Sequence, residues 1–364
     1  MIEMNLKKIL ALLLAAVMVC GMLAGCGPKE TSNPSNPPES QPVETKEPDP
    51  TKEPDPTDPP VEPVTLNIGY MNNYGSLWSV MTAKEKGYFE EEGITLNLTS
   101  FDNGPNIIAA MENGSINLGY IGDGAHKLCV QGRASIIALS HVSNGDAVIG
   151  GPNVKTIEDL KGKTVAYASG TSSETILVNT LTKAGLTMND ITPMDMDPSA
   201  VVTAMMSKGV DACAIWSPQS LTILAEAEGA TKLTDNMTFA DTSVSLASWI
   251  AMPNYLEENK DVVVRFLRAL FKGMDYAADD HYDEVAKWVS DLLAVDYDSI
   301  YAERGVAEWF TGKDVAAGIA DGSIKAYYEL QQEMMVKNEA ITAEEKCPVE
   351  DYVHFDLMTE ASNY

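Results

Sequence analysis

Beyond Val64, short apolar and β-branched runs alternate with longer helical stretches, and this order limits the fold more than any other feature of the 364-residue chain. It is the pattern of parallel sheets carrying crossover helices on their faces. The first series reads as strand Val64 to Tyr70, helix Leu77 to Lys86, strand Ile94 to Phe101, helix Gly104 to Asn113, strand Ile116 to Ile121, helix Gly124 to Gln131 and strand Ser135 to Val142. A second follows Gly150-Gly151-Pro152: strand Thr164 to Ala168, helix Ser172 to Ala184, strand Ile191 to Met196, helix Ala200 to Ser207, strand Asp211 to Trp216 and helix Gln219 to Ala227. Thr242 to Ala251 again reads as strand. Helices are then expected over Leu256 to Ala278, Tyr282 to Leu293, Ser299 to Phe310 and Val315 to Lys337, returning to clasp the first lobe. Residues 64–145 with 247–364 form one expected lobe and 146–246 the other.

Lys7 and Lys8 precede an apolar run, Ile9 to Leu23, that is too short to span a bilayer and has the flanks of a secretory signal peptide. It closes on Leu23-Ala24-Gly25-Cys26, similar to the bacterial lipobox, so residues 1–25 are expected to be removed and Cys26 to carry a diacylglycerol. Residues 26–63 are rich in Pro, Glu, Asp, Thr and Ser, and contain the hexad Thr45-Lys46-Glu47-Pro48-Asp49-Pro50 twice in succession. Such a segment cannot bury enough apolar surface to order itself and reads as an extended tether.

The net charge of −28 excludes nucleic acid as a partner and a polybasic membrane patch as an anchor. Membrane attachment is expected through lipid alone. After processing, Cys129, Cys213 and Cys347 remain; they have no metal-ligand spacing, and the first two sit inside apolar runs. Neither a metal nor a cofactor is expected.

Several segments carry a resemblance: Tyr70, Ala83-Lys84-Glu85-Lys86-Gly87-Tyr88-Phe89, Phe101-Asp102-Asn103-Gly104, Leu118-Gly119, Ile157 to Lys163, Val210-Asp211-Ala212 and Trp216-Ser217-Pro218. In this order they are similar to the periplasmic binding proteins for taurine, aliphatic sulfonates and nitrate, a superfamily that also includes binders of thiamine-pyrimidine precursors. The resemblance implies a two-lobed α/β clamshell of the type II binding-protein kind, with its ligand between the lobes. It places the crossovers near His141 to Val148 and Thr242 to Trp249. It also implies an ABC permease and ATPase as separately encoded partners, and a monomeric binding protein.

In open α/β sheets, ligands sit beyond the carboxyl ends of strands. That rule selects Tyr70, Asn72 and Tyr74 after the first strand, Gly122 and Asp123 after the third, and His141 after the fourth. It also selects Ser169, Thr171, Ser172 and Ser173, then Trp216 and Ser217, and finally Thr242. The turn Ser169-Gly170-Thr171-Ser172-Ser173 opens a helix with hydroxyls and amides and reads as an anion cradle. The same turn also reads as a capping box, with Thr171 as N-cap and Glu174 reaching back. Asp123 either faces an ammonium group or caps the next helix. Together the two features suit a zwitterion such as taurine. The selected segments hold no Lys or Arg, which disfavours a multiply charged anion.

The expected function is capture of a small organic solute, taurine or another small sulfonate first, by closure of the lobes. A thiamine-pyrimidine precursor or nitrate is the alternative on the same scaffold. An enzyme is disfavoured by the lack of a Gly-x-Ser-x-Gly elbow and of the clustered cysteines of the fungal-type pyrimidine synthase. A surface sensor or adhesin is the third class.

Overall fold

The protein is described here by a computed structural model covering residues 62–364; the leader, Cys26 and the tether before Glu62 lie outside the described residues. Eleven strands are described: β1 Val64–Met71, β2 Ile94–Phe101, β3 Leu118–Ile121, β4 Ser135–Ser143, β5 Ala147–Gly150, β6 Thr164–Tyr167, β7 Thr192–Asp195, β8 Ala212–Ile215, β9 Thr231–Asp235, β10 Leu246–Ala251 and β11 Ala307–Trp309. They form a six-stranded sheet in the order β11-β4-β10-β3-β1-β2 and a five-stranded sheet in the order β7-β6-β8-β5-β9.

The sheets are mixed rather than purely parallel. β1 pairs in parallel with β2 and β3, and β6 with β7 and β8. Antiparallel strands enter where the chain changes lobes: β5 against β8 and β9 on arrival, then β10 against β3 and β4 on return. A strand that follows such a crossing has no βα unit to turn it round, so it runs opposite to the wound strands.

The inner strands β5, β6 and β8 of the second sheet are covered on both faces, which explains their unbroken apolar runs, whereas the edge strands β7 and β9 are more exposed and more polar. Val148, Val165 and Ala214 face the core beneath Leu177, whereas Ile149, Ala166 and Cys213 face the core beneath Val201. In the first lobe, helix Lys260–Ala278 lies on helix Tyr74–Glu85 around buried Trp78, Trp249, Phe266 and Phe271. Gly273 permits that approach, since a Cβ there would stand 2.5 Å from the Ser79 carbonyl oxygen.

Four expectations are corrected. Ser299 to Phe310 is not one helix but helix Tyr297–Ala302, a 3₁₀ turn Glu303–Val306 and strand β11, which pairs with β4 through Trp309 and His141. Val315 to Lys337 is two helices, Gly312–Asp321 and Ser323–Lys337, broken at Gly322 with φ +84°. Leu256 to Ala278 divides into Pro253–Glu258 and Lys260–Ala278. Strand character in Thr242 to Ala251 begins only at Leu246. The chain end returns to the first sheet: Ile136 N–H donates to the Tyr352 carbonyl at 2.7 Å, and His354 N–H to the Ile136 carbonyl at 2.9 Å.

Candidate functional site

The two sheets face each other across a cleft crossed by the chain at residues 144–146 and 236–245. In the cleft lies a cavity of about 60 Å³, room for a few waters or one small solute. The lobes touch around it. Lys127 Nζ lies 3.7 Å from Glu174 Oε2, and Gly170 lies against Pro105.

Of the residues selected from sequence, Gly122, Asp123, His141, Thr171, Ser172, Trp216 and Ser217 line this cavity. Tyr70, Asn72, Tyr74, Ser169, Ser173 and Thr242 do not, each for a physical reason. Tyr70 is buried within the first-lobe core, and Asn72 points to solvent while Asn73 lines the cavity. Tyr74 is buried with its ring 5.2 Å from that of Trp309, and it reaches the site only through its backbone. Ser169 is exposed, its N–H and hydroxyl donating to Asp195 at 2.9 and 2.7 Å. Thr242 is exposed and donates to the Phe239 carbonyl; Ser245, three residues on, lines the wall instead.

The anion cradle is also corrected, because its hydroxyls are already committed. Thr171 donates to the Ala168 carbonyl at 2.7 Å, Ser173 to the Ala214 carbonyl at 2.7 Å, and Ser172 to Asp146 Oδ1 at 2.5 Å. Thr171 is the N-cap of helix Ser172–Lys183, accepting from Ser173 N–H, while Glu174 accepts from Gly170 N–H at 2.9 Å. The turn holds itself and the neighbouring strand ends, so its hydroxyl donors are directed into the protein.

Three buried carboxyl groups dominate the cavity. Asp123 Oδ1 accepts from Gln331 Nε2 at 2.6 Å, and the same amide's oxygen lies 2.9 Å from His126 Nδ1, which fixes the His126 proton on that nitrogen. Burial raises the Asp123 pKa to about 6 and lowers that of His126 to about 4. Asp146 takes hydrogen bonds from Ser172, from Asn236 Nδ2 at 2.8 Å and from Ser245 at 2.8 Å, tying both crossovers to the second lobe; burial still raises its pKa. Glu303 accepts from Tyr74 N–H at 3.1 Å and from the Ser217 hydroxyl at 3.5 Å, and burial lifts its pKa to about 8.

Aromatic faces complete the wall. Trp309 sits with its ring centre 4.6 Å from that of His141, and His141 stacks 6.1 Å from Tyr120; Trp216 comes from the second lobe. Burial lowers the His141 pKa to about 3, so this imidazole is neutral. Among the described residues, no Lys or Arg lines the cavity. Glu303, Asp146 and Trp309 escaped the sequence reading. The Asn144-Gly145 turn signal could have marked Asp146, and Gly305, interrupting the expected helix, Glu303 and Trp309.

The fold and cleft define a two-lobed periplasmic-binding-protein clamshell. The NMT1/THI5-like family matches over residues 76–282, and the chain belongs to that family. A protein of Brucella abortus (strain 2308) described only as a binding protein is 31% identical, over 75% of this chain and 85% of its own length. The alkanesulfonate-binding protein SsuA of Xanthomonas axonopodis pv. citri, solved with MOPS bound, superposes with a TM-score of 0.61 at 21% identity, covering 80% of this chain and 98% of that one. The desulfurization enzyme DszB shares the fold at a TM-score of 0.58 and 13% identity, covering 82% of this chain and 99% of that one. At these identities the solved structures establish the fold alone, and function has to be argued from the cavity.

Proposed function

We propose that this protein is the solute-binding component of an ABC importer, held at the outer face of the cytoplasmic membrane by a lipid on Cys26, and that it captures a small organic solute without chemical change. One observation carries the reading: a partly open cavity between two lobes, walled by polar and aromatic side chains from both. Contacts from two lobes to one ligand favour the closed state, which is the signal a permease needs. The permease and ATPase are separate chains, and the binding protein works as a monomer.

A catalytic role has little support in the cavity. Its carboxyl groups are held by hydrogen bonds from Gln331, Ser172 and Tyr74, and Cys129 and Cys213 are buried with their thiol pKa values raised. Taurine or another small sulfonate is the solute favoured by the resemblance, and its ammonium end would meet carboxylates. Its sulfonate end would find the turn's hydroxyls already spent.

The test is intrinsic fluorescence of the purified protein, read through Trp216 and Trp309, during titration with a library of small solutes. A saturable change that disappears in Trp309→Phe supports capture. Silence across the library, with the same protein folded by circular dichroism, contradicts it.

A further inference from the structure

Resting on the capture reading, the cavity also carries information about the charge of what it captures. Three carboxyl groups, Asp123, Asp146 and Glu303, face one small cavity, and among the described residues none of them has a Lys, Arg or His nitrogen within 4.0 Å. Buried acidic groups are ordinarily paired with a cation or a metal. Glu303 is weakly compensated: it is 2% exposed and accepts from the Tyr74 amide at 3.1 Å and, at the limit of a hydrogen bond, from the Ser217 hydroxyl at 3.5 Å. It also joins the lobes, because Tyr74 belongs to the first and Ser217 to the second. The aromatic wall adds faces that attract positive charge, with Trp309 on one lobe and Trp216 on the other. The neutral His141 contributes no opposing charge.

We propose that the solute is a small organic cation, an ammonium or amidinium compound without an acidic group, whose positive charge is taken by Glu303 and Asp123 in the field of Asp146, and whose body lies against Trp309 and Trp216. A sulfonate or nitrate would meet three acidic groups and no positive side chain in this cavity. Asp146 is held by Ser172, Asn236 and Ser245, so it supplies field and rigidity, and direct contact falls to the other two.

Calorimetric titration of the purified protein with choline, putrescine, methylguanidinium and benzamidinium, against taurine, ethanesulfonate and nitrate, tests this. At least one cation is expected to bind at least roughly 100-fold more tightly than ethanesulfonate, and Glu303→Gln to weaken it by about tenfold or more. Binding should release protons, read as a dependence of the heat on buffer ionisation enthalpy, because a cation drives raised carboxyl groups to ionise. That readout needs no variant to fold, and a merely structural Glu303 would not produce it. Binding of taurine, ethanesulfonate or nitrate with no cation bound would overturn the inference and leave the capture reading standing. If no member of either set binds, the inference also fails, and the fluorescence screen then decides the capture reading separately.

Discussion

Gly124 and Thr171 meet across the cleft so closely that a Cβ on Gly124 would lie 2.2 Å from the Thr171 carbonyl carbon. One residue belongs to the first lobe and the other caps the helix that opens the second lobe's side of the site. Closure therefore depends on the absence of a single methyl group. Gly124→Ala is expected to leave the unliganded protein as stable as the parent, within about 1 kcal/mol, because opening the lobes relieves the clash. Ligand affinity should fall by roughly tenfold or more, since closure is part of binding. Urea unfolding and calorimetry on one preparation separate the two effects; unchanged affinity would mean that these lobes close differently.

Asp146 holds the crossing point. Its two oxygens accept from Ser172, Asn236 and Ser245, and its own N–H donates to Asn236 Oδ1 at 2.8 Å. Asp146→Ala leaves the buried Ser245 hydroxyl and the half-buried Ser172 and Asn236 donors without this acceptor and should destabilise the protein by about 1–3 kcal/mol in urea unfolding. Asp146→Asn, which retains an acceptor oxygen, should cost less. Equal losses would show that the network contributes little.

Glu303 makes stability depend on pH. Its pKa rises from 4.5 unfolded to about 8 folded, so between these values the native state binds the extra proton, and stability is lost as pH rises through that window. Asp123, raised from 3.8 to about 6, adds a loss in the same direction at lower pH. The groups near Glu303 are Tyr74, Tyr120, Ser217 and the neutral His141, with Arg304 adjacent in sequence. Buried neutral His126 and His141, lowered from 6.5 to about 4 and about 3, oppose this loss below pH 6.5, so the melting temperature of the unliganded protein should fall from pH 6.5 to pH 8, and Glu303→Gln should flatten that fall. A melting temperature that climbs over this range would contradict the burial of Glu303.

The lipid proposed at Cys26 is tested by expressing Cys26→Ser. The parent should take up labelled palmitate and fractionate with membranes, while the variant does neither and is released in folded form, because the tether carries no basic or apolar anchor of its own. Membrane retention of the variant would contradict the proposed anchor.

Much of the fold is legible because burial writes itself into sequence. The two-faced strands around Val165 and Cys213 appear as continuous apolar runs, and the helices between them appear as periodic ones. The site is legible only in part. The ends of β3, β4 and β8 direct attention to Asp123, His141 and Trp216, which the structure brings to one cavity. The hydroxyl turn misleads because sequence displays donors but not their acceptors. The Ala214 carbonyl and Asp146 arrive from other strands and consume what looks like an anion site. Glu303 and Trp309 stand more than 150 residues beyond Asp146. They are placed by the short edge strand β11, whose three residues are too few to outweigh the helical pattern before them.

Closure itself can be measured most directly by small-angle X-ray scattering of the purified protein, with and without a solute that saturates the tryptophan signal. The radius of gyration is expected to shrink with solute, with no such change in Gly124→Ala. Identical scattering with and without saturating solute would contradict capture by lobe closure.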